Sequence, residues 1–240
     1  MITLELIYII FLIFVFSTIQ SIFGLGLLLF GTPSLLLLGY GFTETLWMLL
    51  PSSCSLSLIQ IIENREKIVS KNQVYLITVP ALIISLILII QLEYLISIKK
   101  IIGTFLLLTA LLRLSTLADQ WLKKLIENSK SLIYLFIGVV HGVSNLGGAP
   151  LSVLASSIHK ESSVISSNIA FVYFILAFSQ IIVLTIFERE IFTGAYLLFI
   201  PLVISNYYLT SKILLSHIDD TKFKFLINIL IVIFGIFCFF

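Results

Sequence analysis

Eight long apolar stretches follow one another along the chain, at about 4–39, 43–62, 74–92, 98–118, 131–158, 163–187, 192–215 and 222–240, separated by short polar breaks. A helix needs about 20 apolar residues to cross the hydrocarbon core of a bilayer, and these stretches supply that length repeatedly. They are continuous rather than alternating, which disfavours an outer-membrane barrel. Only 11% of the residues are charged, less than half the roughly 25% of an average soluble domain. Folded in water, the chain would lack the polar surface to cover itself. The sequence predicts an all-α, polytopic integral membrane bundle of about eight transmembrane segments.

Charge and cysteines exclude several function classes. A net charge of +2 on 14 basic and 12 acidic residues gives no nucleic-acid footprint. Cys54 and Cys238 both lie in apolar stretches, as buried thiols do. No Cys/His spacing suggests a metal, and no P-loop is present, so no cofactor is expected. The N-terminus carries Glu5 where a signal peptide has Lys or Arg, so the first stretch reads as a retained membrane segment.

The two halves look alike. A displacement of 121 residues superimposes the spans in order and sets Gly24 on Asn145, Leu25 on Leu146, Gly26 on Gly147, Ser21 on Gly142 and Pro80 on Pro201. The expected organisation is a first transmembrane repeat at 1–118, a central cytoplasmic loop at 119–130 and a second repeat at 131–240. Such repeats characterise secondary transporters, with the substrate site where the halves meet.

The first stretch of each repeat is interrupted, at Gly24-Leu25-Gly26 and at Asn145-Leu146-Gly147-Gly148-Ala149-Pro150. Glycine and proline weaken a helix, and non-helical backbone at membrane depth survives only inside protein or beside a wet cavity. Broken helices are therefore expected, with new helices starting around Leu27 and around Ala149 near the midplane. Gly138 and Gly142 fit small-residue helix packing instead. Each broken stretch is either a single crossing or a re-entrant hairpin. The hairpin arrangement gathers 11 of the 14 basic residues on the side of the central loop, which the positive-inside rule favours. It gives inverted repeats, with both termini outside.

Helix N-termini expose unpaired N–H groups and a positive dipole end, a generic anion seat. Around the two breaks stand neutral hydrogen-bonding residues, and the candidate substrate-binding set is Gln20, Ser21, Gly24, Gly26, Ser52, Ser53, His141, Ser144, Asn145, Gly147, Gly148 and Asn168. Gln60 and Gln180 add further polar groups to the spans. No Asp or Glu lies mid-span, which disfavours a cation carrier. His141 is the one imidazole within a span and the candidate carrier of a coupling proton. Gly142-Val143-Ser144 starts like a nucleophile elbow but lacks the closing glycine and a carboxylate to orient His141. A secondary transporter of a small anion is thus preferred over a non-transporting assembly subunit, and a serine hydrolase comes last. The expected partners are a small anionic substrate, the lipid bilayer and protons, with room for a homo-oligomer.

The pattern Gln20-Ser21-x-x-Gly24-x-Gly26 with Pro33 downstream, and Gly138-x-x-x-Gly142-x-x-Asn145-x-Gly147-Gly148-x-Pro150-Leu151, resembles the sulfite exporter TauE/SafE family, also called the 4-toluene sulfonate uptake permease family. The likeness runs the whole length. The chain departs from the family's glycine motif at Leu27 and Leu28 and at Asn145. The resemblance implies alternating-access transport of sulfite, sulfonates or thiosulfate across the inner membrane, and no enzymatic activity.

Overall fold

The computed structural model describes residues 4–69, 72–92, 98, 100–105, 107, 129–213, 229 and 236. Among them the chain is a helical membrane bundle without strands. The first half of the chain contributes α1 (Leu4–Phe23), α2 (Leu27–Leu37), α3 (Phe42–Glu63) and α4 (Val79–Leu92), the last entered through a π-helical turn at Val74–Thr78. The second contributes α5 (Lys130–Ser144), α6 (Gly148–Ile158), α7 (Ser162–Phe187) and α8 (Phe199–Ile213). Four segments are long and apolar enough to cross a membrane: Leu4–Phe23, Phe42–Glu63, Val74–Leu92 and Ser162–Phe187. The 98–118 and 222–240 stretches, the 119–130 loop and Cys238 lie wholly or mostly outside the described residues, while Cys54 is a free, half-buried thiol.

Both expected interruptions are present, and the backbone explains them. Gly24 has φ 72° and Asn145 has φ 63°, both left-handed. That conformation is open to glycine and tolerated by asparagine, and it turns the chain out of its helix. Gly24 N–H donates to the Gln20 carbonyl and Asn145 N–H to the His141 carbonyl, each at 2.8 Å. The new helices then close with Phe30 N–H to Gly26 O at 2.9 Å and Leu151 N–H to Gly147 O at 3.1 Å. Every one of these positions is displaced by 121 residues from its counterpart.

Interhelix contacts fix the direction of each element. Trp47 Nε1 donates to the Glu188 carbonyl at 2.9 Å, and Asn168 Nδ2 to the Lys67 carbonyl at 2.9 Å, so α3 and α7 are antiparallel along their whole length. The Tyr40 hydroxyl donates to Glu5 at 2.5 Å, which joins the start of α1 to the end of α2. The α1–α2 stretch is therefore a hairpin that enters and leaves at the Glu188 end. Gly138 packs on Thr78 and Ala81, and Gly142 on Leu82 and Ser85, so α5 runs parallel to α4. Since α6 leads back to the start of α7, the α5–α6 hairpin enters and leaves at the Lys67 end. Arg65, Lys67, Lys130 and Lys160 gather at that end, while Glu5, Glu44, Glu188, Arg189 and Glu190 stand at the other.

Packing follows the small residues. A Cβ at Gly142 would lie 2.0 Å from Ser85 Oγ and 2.6 Å from Leu82 O, and one at Gly138 would lie 2.4 Å from Thr78 O. Those two glycines let α5 and α4 approach backbone to backbone, as the small-xxx-small reading expects. Large apolar side chains such as Leu76, Ile84, Ile186 and Leu198 point outward, where lipid rather than water would meet them.

Candidate functional site

The last turn of α1 carries a closed polar network around Gln20, with Gln60 Oε1 at its edge left buried and unpaired among the described residues. Gln20 is buried, and its Nε2 donates to Ser53 O at 3.2 Å, Ser53 Oγ at 3.0 Å and Ser57 Oγ at 3.1 Å. Its Oε1 accepts from the Leu27 N–H at 3.2 Å, so a side-chain oxygen sits on the N-terminus of α2. Gln60 Nε2 then donates to the carbonyls of Gln20 and Ser21 at 2.9 and 3.0 Å. Each bond in such a network contributes about 1 kcal/mol net, and leaving one partner bare costs about 1–3 kcal/mol. The first hairpin is bolted to α3 through these groups.

The last turn of α5 holds His141 at the equivalent position, and its surroundings are different. Both ring nitrogens of His141, the Tyr173 hydroxyl, both polar atoms of Gln180 and Asn145 Oδ1 are buried without a hydrogen-bond partner among the described residues. These groups are neighbours. The His141 and Tyr173 rings meet edge-on with centroids 5.6 Å apart. Gln180 reaches toward the imidazole without closing a bond, and Asn145 follows His141 by one helical turn. The Tyr173 ring lies on Gly148, where a Cβ would fall 1.8 Å from the hydroxyl. Asn145 Nδ2 donates to Thr32 Oγ1 at 2.9 Å, joining this cluster to the first hairpin. No Asp, Glu, Lys or Arg is buried among the described residues, so the cluster is uncharged.

Residues 9–238 match the family described as sulfite exporter TauE/SafE. The chain belongs to the sulfite exporter TauE/SafE family. This is a family of membrane transporters, and the helical bundle with its crossing segments is that of a multi-pass membrane protein. No curated protein and no solved structure matches the chain.

In this TauE/SafE chain the sequence-predicted site residues fall into three groups. Gln20, Ser21 and Ser53 belong to the closed network, with Ser21 Oγ donating to Ser17 O at 2.7 Å. His141, Asn145, Gly147 and Gly148 line the open cluster, while Ser52 on α3 is buried and unpaired among the described residues. Ser144 is adjacent in sequence, but its Oγ donates to Val140 O at 2.6 Å. Asn168 stands apart: it ties the Lys67–Val69 loop to α7, with Oδ1 accepting from Val69 N–H at 3.0 Å.

The glycines are closely packed rather than bare. A Cβ at Gly24 would lie 2.3 Å from Ser166 O, one at Gly26 2.7 Å from Gln20 N, and one at Gly147 2.5 Å from His141 Cβ. Nor are both breaks at one depth. Gly148 abuts Tyr173, roughly 16 Å along a helix about 38 Å long at 1.5 Å per residue, close to its middle. Gly24 abuts Ser166 and Ala170, in the first third of the same helix. The two hairpins pass each other, so Asn145 meets the second turn of α2 rather than Gly24.

Tyr173 and Thr32 were absent from the sequence-derived set, and Gln180 stood only among its further polar groups. Tyr173 looked like one aromatic among many. Its seven-residue spacing from Gln180, which puts both on one face of a helix, was the available signal.

Proposed function

We propose that the chain is a secondary carrier that moves a small sulfur-containing or organic anion, such as sulfite, a sulfonate or thiosulfate, across the cell inner membrane by alternating access. The observation that carries this reading is the uncharged cluster at the second break. A cation carrier would bury carboxylates, whereas a helix N-terminus ringed by neutral donors suits an anion. The two hairpins, opposite in entry and alike in backbone, support inverted repeats at 1–118 and 131–240 joined by a cytoplasmic 119–130 loop. Inverted repeats permit one fold to rock between two access states around a fixed site. Neutral His141, with one donor and one acceptor, is the group on which proton coupling would act.

The test is counterflow of labelled sulfite, methanesulfonate and thiosulfate in vesicles containing the purified chain, with and without a proton gradient. Accumulation of at least one of these anions is expected. Movement of none of them sinks the reading. Orientation is checked separately by thiol labelling of Lys67→Cys in intact cells, in a Cys54- and Cys238-free background. Protection from an impermeant reagent is expected, and labelling from outside would reverse the topology.

A further inference from the structure

The two repeats treat the N-termini of their short helices differently. In the first, Gln20 Oε1 occupies the N-terminus of α2 by accepting the Leu27 N–H. Displacing both partners by 121 residues gives His141 and Gly148. Yet His141 makes no such bond, and the N-cap of α6, Gly147, supplies no side-chain acceptor either. What lies over Gly148 instead is the Tyr173 hydroxyl, buried and unpaired. The first repeat thus holds a hydrogen-bonded carboxamide oxygen at the start of its short helix, where the second holds a phenol oxygen that closes no bond.

Unpaired buried polar atoms are destabilising, and proteins rarely leave several together. Here six fall on residues at the second break and their neighbours: two on His141, two on Gln180 beside it, one on Tyr173 and one on Asn145. They offer donors from the imidazole, the phenol and the carboxamide, in addition to the α6 backbone. A ligand with several acceptor oxygens satisfies that set. The balancing charge is small, since a helix N-terminus is equivalent to roughly half an elementary charge and no basic side chain is buried among the described residues. A singly charged ligand can be held on those terms, and a doubly charged one would remain under-compensated in a low dielectric.

We propose that Tyr173, Gln180 and His141, with the N-terminus of α6, form the seat of a singly charged oxyanion, and that Gln20 fills the equivalent seat of the first repeat permanently. The ligand oxygens accept from the Tyr173 hydroxyl beside Gly148 and from the neighbouring imidazole and carboxamide, whereas in the first repeat the Gln20 carboxamide oxygen itself accepts the Leu27 N–H. The transporter has one binding seat in its second hairpin, and a sealed copy of it in the first. This rests on the small-anion reading above, narrows it to singly charged members such as sulfonates and hydrogen sulfite at the expense of thiosulfate, and assigns Tyr173 and Gln180 as specificity-determining residues.

Binding of methanesulfonate and of sulfate to the purified full-length chain in nanodiscs tests it, with Tyr173→Phe and Gln180→Met measured alongside. Methanesulfonate should bind at least about tenfold more tightly than sulfate. Each variant should lose about tenfold or more of that affinity, the 1.4 kcal/mol of one charge-assisted hydrogen bond. Without ligand, both variants should melt at or above the wild-type temperature, since each removes a buried unpaired polar group. If the wild type binds methanesulfonate and both variants bind it equally well, the seat is a water pocket and the proposal falls while the carrier reading stands. If the wild type binds neither probe, both fall. Sulfate bound as tightly as methanesulfonate would overturn the singly charged ligand.

Discussion

The last turns of α1 and α5 are the same piece of backbone built twice. Both end in a left-handed residue, Gly24 or Asn145, and both hand over to a short helix after two more residues. They differ in what fills the turn. Gln20 makes bonds to Ser53, Ser57 and Leu27, whereas both nitrogens of His141 face unpaired neighbours. Identical local geometry therefore does not imply identical duty. A satisfied network fixes a hairpin in place, and an unsatisfied one of the same shape is stability withheld for a ligand.

Valine at the two breaks separates these duties most strongly. Gly24→Val puts a β-branched side chain into a left-handed turn and against the Ser166 carbonyl, a cost of about 4 kcal/mol or more. Folded protein, measured by size-exclusion chromatography in detergent, should nearly vanish. For Gly148→Val the three atoms nearest the new Cβ all belong to the Tyr173 side chain rather than to backbone. This variant should yield more folded protein, with counterflow abolished. Equal loss of folded protein in both would make the second break a packing device like the first.

Asn145 refines the comparison. Asn145→Gly keeps the left-handed turn and loses the Thr32 bond, so melting should fall by the equivalent of about 1 kcal/mol. Asn145→Ala loses the bond and strains the turn as well, adding about 1–2 kcal/mol. If alanine and glycine proved equal, φ at this position would not be a constraint. The smallest effect is expected at the hairpin's mouth. Tyr40 is pushed up to about 12 by partial burial and by the Glu5 carboxylate it donates to, so the bond persists throughout the physiological pH range. Tyr40→Phe should cost under ~1 kcal/mol, as exposed pairings do, and leave counterflow intact.

The fold was legible because lipid imposes length and continuity on apolar runs, and because glycine clusters at fixed displacement mark where such runs must break. The helix starts at Leu27 and Gly148 fell within one residue of the expected positions. The hairpins were legible only through charge, since Lys160 joins Lys67 at one end in no other arrangement. The site was less legible. Periodicity cannot distinguish a glutamine whose hydrogen bonds are complete from a histidine whose bonds are not, and the two lie 121 residues apart without sharing a residue type. Beyond its seven-residue spacing from Gln180, Tyr173 carries no signal until α7 is laid against Gly148. The glycines suggested open backbone, yet close packing fills the space beside them, because the same absence of a side chain serves both purposes.

The claim that one turn is a bolt and the other a seat is tested most directly by Gln20→Met and His141→Met, with melting temperature and methanesulfonate affinity measured on the same preparations. Gln20→Met strands Ser53, Ser57 and the Leu27 N–H, so melting should drop by ~5 °C or more, with the affinity of the folded fraction within about threefold of wild type. His141→Met removes unpaired atoms, so melting should hold or rise while affinity falls about tenfold or more. If both substitutions lower melting alike, or both weaken binding alike, the two turns share one duty and the account is wrong.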